Sequence, residues 1–266
     1  MSKKILLVLV AVLGLVGMVQ AAEPTWTHSG GTGNWNDSAS WVTTEAALFP
    51  TWNGNYSVPN TATIEGGVVN VVGSGQQGSG RCNIGNGAVV NVYGLGVDRD
   101  LNIGLNLTLG YVPGDSTLNI IGTGTTVYCE QLQLGVAVGG SGTINIGDGA
   151  TLMHGGWGTF VGMEGTGTIN MTGTGSMFLW DGNNGKIQMT GTGHINLEAG
   201  KIEQNGDLVS LYQSYVNNGW ITGYGSSSNV NVALVGGWTI VTATVPEPAT
   251  MILLGLGGLL LRKRMA

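Results

Sequence analysis

One short pattern returns along this chain at nearly constant spacing. An aliphatic residue, an asparagine and a second apolar residue stand together as Val69-Asn70-Val71, Val90-Asn91-Val92, Leu118-Asn119-Ile120, Ile144-Asn145-Ile146, Ile169-Asn170-Met171 and Ile195-Asn196-Leu197. Successive asparagines are 21, 28, 26, 25 and 26 residues apart, a period near 25. A second apolar segment ends in glycine and keeps the same phase: Ile84-Gly85, Leu109-Gly110, Leu134-Gly135 and Val161-Gly162, with steps of 25, 25 and 27. A repeat of this length cannot bury an apolar face alone, so its copies must stack.

The segments alternate apolar with polar residues, and Gly122-Thr123-Gly124, Gly147-Asp148-Gly149 and Gly173-Thr174-Gly175 punctuate them. That is a period of two with turns between, and no helical stripe runs through it. The expected fold is all-β: a parallel β-helix solenoid of about six to seven turns with a short α/β C-terminal cap. In it Ile144 and Ile146 turn inward over Ile169 and Met171. The asparagines either line up outside that row or form a hydrogen-bonding ladder at its edge. Cys82 and Cys129 fall on equivalent strands two turns apart, roughly 10 Å at the inter-strand spacing, which is too far for a disulfide. Both are expected to be free, buried thiols.

The spacing predicts one helix, Asp207 to Asn218, with Asp207 as N-cap and Gly219 just past its end. Leu208, Leu211, Tyr212, Tyr215 and Val216 form its apolar stripe. Strands over Asn229 to Leu234 and Trp238 to Thr242 complete a C-terminal cap. At the front, Trp26, Trp35, Trp41 and Trp52 are placed to cover the first turn. The resulting organisation is a leader over 1–21, an entry segment over 22–62, repeats over 63–205, a cap over 206–244 and a separate tail over 245–266.

Charge excludes several function classes. The formal net charge is −6 and only 9% of residues are charged. Away from the two ends the only lysines and arginines are Arg81, Arg99, Lys186 and Lys201, so no basic surface for nucleic acid can form. His28, His154 and His194 are far apart with no HExxH, which argues against a zinc site. Gly73-Ser74-Gly75-Gln76-Gln77-Gly78 fits GxGxxG, but no helix signal follows, so it reads as a flexible loop. Asp181-Gly182-Asn183-Asn184-Gly185 lacks the later ligands of a calcium loop. No metal or cofactor is expected.

A glycosidase needs two carboxylates on one bond. Stacking places Asp148 against Thr123, Thr172 or Thr174, not against another acid. The densest charge cluster, Asp98-Arg99-Asp100, is expected to be a solvated loop. The chain is therefore read as non-enzymatic. Trp157 and Trp180 lie in turns, where an aromatic face can stack on a sugar ring.

The two ends carry addresses. Met1-Ser2-Lys3-Lys4, the apolar run Ile5 to Val19 and Val19-Gln20-Ala21 make a secretory signal peptide, cleaved between Ala21 and Ala22 by the signal peptidase after passage through the translocon. Near the other end, Ala249 to Leu261 is uncharged, and Arg262, Lys263 and Arg264 follow. As a transmembrane helix it rises only roughly 20 Å against about 30 Å of hydrocarbon, so it anchors weakly, with its cations on the cytoplasmic side. Pro246 and Pro248 keep the chain before it extended.

Val245-Pro246-Glu247-Pro248, the Leu/Gly-rich run and the Arg-Lys-Arg end together resemble the PEP-CTERM sorting signal of exported bacterial proteins. That resemblance implies recognition and processing by an exosortase, membrane attachment before processing, and then an envelope or extracellular-matrix location, where extracellular polysaccharide is a candidate partner. The entry stretch Gly33-Asn34-Trp35-Asn36-Asp37, Trp41 and Val58-Pro59-Asn60-Thr61-Ala62-Thr63-Ile64 resembles that of exported bacterial β-helix proteins, autotransporter-like ones included.

Overall fold

The computed structural model describes residues 25–28, 30–43, 50, 60–72, 77–94, 100–179 and 185–245. The alternation of branched apolar residues with Asn and Thr folds into short strands that wind as a parallel β-solenoid of about 6 turns. Its strands form an 8-stranded sheet and a 14-stranded sheet, and the larger one bends around two faces of the coil.

One complete coil shows the plan. Gly140–Ile146 lies on the ladder face, Thr151–His154 on the second face and Thr159–Val161 on the third, before Thr166–Met171 returns to the ladder face one level on. The sequence signals two strands per repeat and the structure has three. The middle strand escapes notice because in two coils it is fused to the next one. Leu101–Leu109 and Thr126–Leu134 each run through the corner as one strand, with a register shift between Cys129 and Gln131 in place of a turn.

The core is built of like residues stacked on like. Val69, Val90, Leu118, Ile144, Ile169, Ile195 and Ile221 follow one another in register on the ladder face, all fully buried. On the third face the column is Ile64, Ile84, Leu109, Leu134, Val161 and Met189. Each buried aliphatic side chain contributes about 1.5–3 kcal/mol. The glycine after the third-face strand explains the second periodic signal. Gly110, Gly135 and Gly162 have φ of +67°, +63° and +76°, and a Cβ there would meet the backbone of the next coil at 2.9, 2.5 and 2.5 Å. At these three levels only glycine turns the corner at the spacing of a sheet hydrogen bond, whereas Glu65, Gly85 and Thr190 follow the column at the other levels without a left-handed conformation.

Asn70, Asn91, Asn119, Asn145 and Asn170 lie outside the apolar row and also form a ladder. Each amide donates from Nδ2 to the preceding Oδ1, at 3.0, 2.8, 2.8 and 2.9 Å. Asn196 is the next in register, and its Oδ1 accepts from Thr222 Oγ1 at 3.1 Å and Gly225 N at 3.3 Å. The two alternatives for the asparagines are thus one arrangement.

Both ends use aromatics. Trp35 and Trp41 are buried edge to face, 5.2 Å apart, with their indole N–H groups donating to Pro50 O and Trp35 O. Trp26 is buried with them, and Trp52 lies outside the described residues. The strands Thr25–His28 and Thr32–Asn34 pair parallel with Thr61–Glu65 and Val68–Val71, so the entry segment joins the solenoid. At the other end the helix spans Val209–Asn217 and starts later than the spacing predicts. Leu208 is the N-cap, one residue later than Asp207; Asp207 Oδ1 accepts from Val209 N at 3.4 Å, and the Leu208 N–H donates to Thr239 Oγ1 at 2.8 Å. Tyr212 donates to Gln204 and Tyr215 to Ile187 O, tying the helix to the last coil. The hairpin Val230–Val235 and Trp238–Ala243 then pairs antiparallel onto Lys201–Asn205. Gln77–Ser79, expected as loop, is a strand whose Gly78 faces Asn102 O too closely for any side chain; residues 73–76 lie outside the described set.

Gly135→Ala is expected to destabilise the protein by about 1–3 kcal/mol through backbone strain alone. Gly191→Ala, whose Cβ would face open space at negative φ, should be neutral. Thermal melts of the two variants test whether the corner glycines set the coil spacing.

Candidate functional site

The acidic residues singled out by sequence join neighbouring coils. Asp148 Oδ1 accepts from both the backbone N–H and the hydroxyl of Thr174, at 2.8 and 2.6 Å, and these bonds hold its carboxyl below the usual range. Asp100 is buried, and its Oδ2 accepts from Thr126 N at 2.9 Å while its own N–H donates to Thr126 Oγ1. The Asp148 contact matches the stacked-turn alignment, whereas Asp100, expected in a solvated loop, is buried because it is bonded to Thr126 of the next coil. Asp98 and Arg99 lie outside the described residues.

Three surface depressions lie on the described residues. One of ≈ 460 Å³ lies along the ladder and is lined by Asn119, Asn145, Ile121, Thr123 and Asp148 among others. A second, of ≈ 340 Å³, is bordered by Phe160, Met163, Glu164 and Gln188. The third, of ≈ 570 Å³, lies between the helix and Ser227–Val230 and holds no acid. The first two each present a single carboxylate, where hydrolysis of a glycosidic bond uses two. Among the described residues no three His, Cys, Asp or Glu side chains gather as metal ligands.

The histidines serve different purposes. His154 is buried, and its Nε2 lies 3.0 Å from Gly158 O, which brackets the turn holding Trp157. His28 is buried against Trp41, and burial lowers its pKa. His194 lies on the outer side of the ladder face. Trp157 is 58% exposed, with its N–H donating to Glu130 O at 2.9 Å. Trp180, its proposed companion, lies outside the described residues.

Beside Trp157 runs a second amide row that the sequence reading missed. Asn106 Nδ2 and Gln133 Nε2 both donate to Gln131 Oε1, and Gln131 Nε2 reaches Trp157 O at 3.5 Å. The signal was present: Asn106 and Gln131, like Thr108 and Gln133, are 25 residues apart and in register. Gln131 Oε1 uses both lone pairs on the Asn106 and Gln133 donors, but each of the three amides uses one N–H here and keeps a second for a partner.

The thiols are free and fully buried, as expected. Their alignment is corrected. Cys82 stacks under Leu107 on the third face, whereas Cys129 stacks between Ile103 and His154 on the second, because the strand containing Cys129 turns the corner after it. Burial pushes Cys82 from 9.0 up to about 12 and raises Cys129 as well. The unfolded chain therefore ionises first, so the thiols contribute stability that is full below pH 9.0 and is lost as pH rises toward 12. Neither thiol should react with a disulfide reagent until the chain unfolds. The melting temperature should fall above pH 9.0, and fall less in a Cys82→Ala, Cys129→Ala double variant.

The predicted sorting residues Pro246, Glu247 and Pro248, the basic Arg262, Lys263 and Arg264, and the leader with Ala21 and Ala22 lie outside the described residues; Val245 is the last described and is 67% exposed. Among the described residues no helix is long and apolar enough to cross a membrane, and the apolar segment 249–261 is not one of them. No curated protein and no solved structure matches the chain. The sequence model described as the PEP-CTERM protein-sorting motif matches residues 244–264, so this solenoid carries a protein-sorting motif directly after its last strand.

Proposed function

We propose that the chain is a non-catalytic rod of the cell envelope or extracellular matrix, exported and then sorted by its terminal motif. The motif supports a protein sent to the exterior and processed by an exosortase at the membrane. The observation that carries the structural part is continuity. One apolar core and one amide ladder run from Asn70 to Asn170, and the charges exposed along them are sparse and acidic, Asp115, Asp148 and Glu164 among them. Such a surface suits repetitive, low-specificity contact, and among the described residues it brings no reactive groups together. Intact-mass spectrometry of the protein from its host should show loss of residues 1–21 and of the chain beyond the Pro246-Glu247-Pro248 region. Retention of Met251 to Ala266 would mean a plain anchor. Pro246→Ala with Pro248→Ala should leave the tail uncleaved and the protein in the membrane fraction.

A second reading, a carbohydrate-binding surface protein, rests on Trp157. Its exposed ring stands on the turn that His154 closes through Gly158 O, beside the Asn106, Gln131 and Gln133 amides, whose remaining N–H groups can bond sugar hydroxyls. Trp157→Ala should weaken binding to neutral exopolysaccharide about ten-fold, the equivalent of roughly 1.4 kcal/mol, with an unchanged melt. Equal retention of wild type and variant in affinity electrophoresis would reject it.

A further inference from the structure

The edges of the two sheets are not alike. The smaller sheet ends on Thr32–Asn34 and Ile221–Gly223, three residues each, and the larger one ends at the front on Trp41–Val42, two residues. Very short edge strands resist pairing with another chain. At the back, the larger sheet ends on Val230–Val235, six residues that pair with Trp238–Ala243 on one side and with no described strand on the other. This strand reads Val-Asn-Val-Ala-Leu-Val. It has no lysine, no other charge and no proline, and its register with its partner is unbroken, so it has no bulge. Apart from the helix Val209–Asn217, which packs against it, this strand has none of the usual devices that block an edge, and it is the longest edge strand among the described residues.

Its cross-strand partners fix which way each residue faces. Val232 lies opposite the buried Val241, Leu234 opposite the buried Thr239, and Val230 opposite Ala243. Val230, Val232 and Leu234 therefore share the core-side surface of the strand, yet Leu234 is 48% exposed because the solenoid ends beneath it. The apolar positions are symmetric about Val232.

We propose that Val230–Val235 is a self-association edge, where a second copy of this chain adds antiparallel through the same strand. A two-fold register centred on Val232 sets Val232 against its own counterpart and Val230 against Leu234 of the second copy. Residues directly opposite in an antiparallel pair point to the same side, so all the half-covered apolar residues meet one another. A one-residue slip would turn them to the wrong side, and an unrelated strand would lack the symmetry. Both partners use the same patch, so the contact closes on itself as a dimer. The exit of the chain favours the same partner. Thr244 N donates to Asn229 O at 2.7 Å, which ties the start of the sorting motif to this edge. Copies held by their tails at a membrane would carry these edges at a common height, raising their effective concentration. That last step rests on the sorting reading; the pairing itself does not.

Cysteine cross-linking of the full chain in mild detergent reads the register directly. Opposed Cα atoms in an antiparallel pair are about 4.5–5.5 Å apart, within disulfide range. The native thiols are buried and do not interfere. Under mild oxidation Val232→Cys should run as a disulfide-linked dimer on a non-reducing gel. Asn231→Cys, which faces Ala233 of the second copy, should remain monomeric, and adding Leu234→Lys to Val232→Cys should abolish the dimer. If circular dichroism shows Val232→Cys to be unfolded, mixing Val230→Cys with Leu234→Cys chains tests the same register. Equal cross-linking at positions 231 and 232, or a dimer that survives Leu234→Lys, would overturn the proposal.

Discussion

Neighbouring coils of this protein lie as close as hydrogen-bonded strands, and everything else depends on their being able to do so. At three successive levels, Gly110, Gly135 and Gly162 turn the third corner in left-handed conformations, where a side chain would drive into the backbone of the next coil. Once that spacing is set, each side chain lies over its equivalent one level down. Apolar residues then become continuous columns, and an outward asparagine becomes a rung. A neutral hydrogen bond of this kind contributes about 0.5–1.5 kcal/mol, less than the buried aliphatic columns do. The ladder's larger effect is on register, since a slipped coil would leave every amide without the rung it matches.

This dependence explains what was legible. The Asn column and the glycine after the third-face strand recur with the coil, so both could be counted in the sequence, and the stacking of Asp148 on Thr174 followed from the count. The second face was less legible because only one of its two inward columns is uniform: Leu101, Val127, Leu152, Met177 and Ile202 are all apolar, whereas Ile103, Cys129, His154, Leu179 and Gln204 are in register but have no common chemistry. The same irregularity misaligned Cys82 with Cys129. The Asn106–Gln131 row was missed because amide chemistry was shared between different residue types. The helix begins one residue late, with Asp207 still bonded to Val209 N and the Leu208 N–H tied to Thr239 by a tertiary contact that local sequence does not show.

The candidate site follows the same logic. Asp100, Asp148 and His154 are the groups a search for catalysis would choose, and each is engaged in holding a turn or a pair of coils. What remains available is repetitive: the spare donors and acceptors of two amide rows, an exposed indole at Trp157 and an unblocked strand beside the exit to the sorting motif. The solenoid supplies these features because its structure is itself repetitive, and the proposed contact with an extended partner rests on them.

The ladder offers the most direct measurement of the whole account. In an NMR spectrum each side-chain amide of Asn119, Asn145 and Asn170 should show through-space contacts to the amides one coil above and below. One of its two protons should be protected from exchange and the other should not, as the bonds at 2.8, 2.8 and 2.9 Å require. Asparagine amides that exchange both protons alike, or that contact residues other than those about 25 positions away, would contradict in-register stacking and the rod built on it.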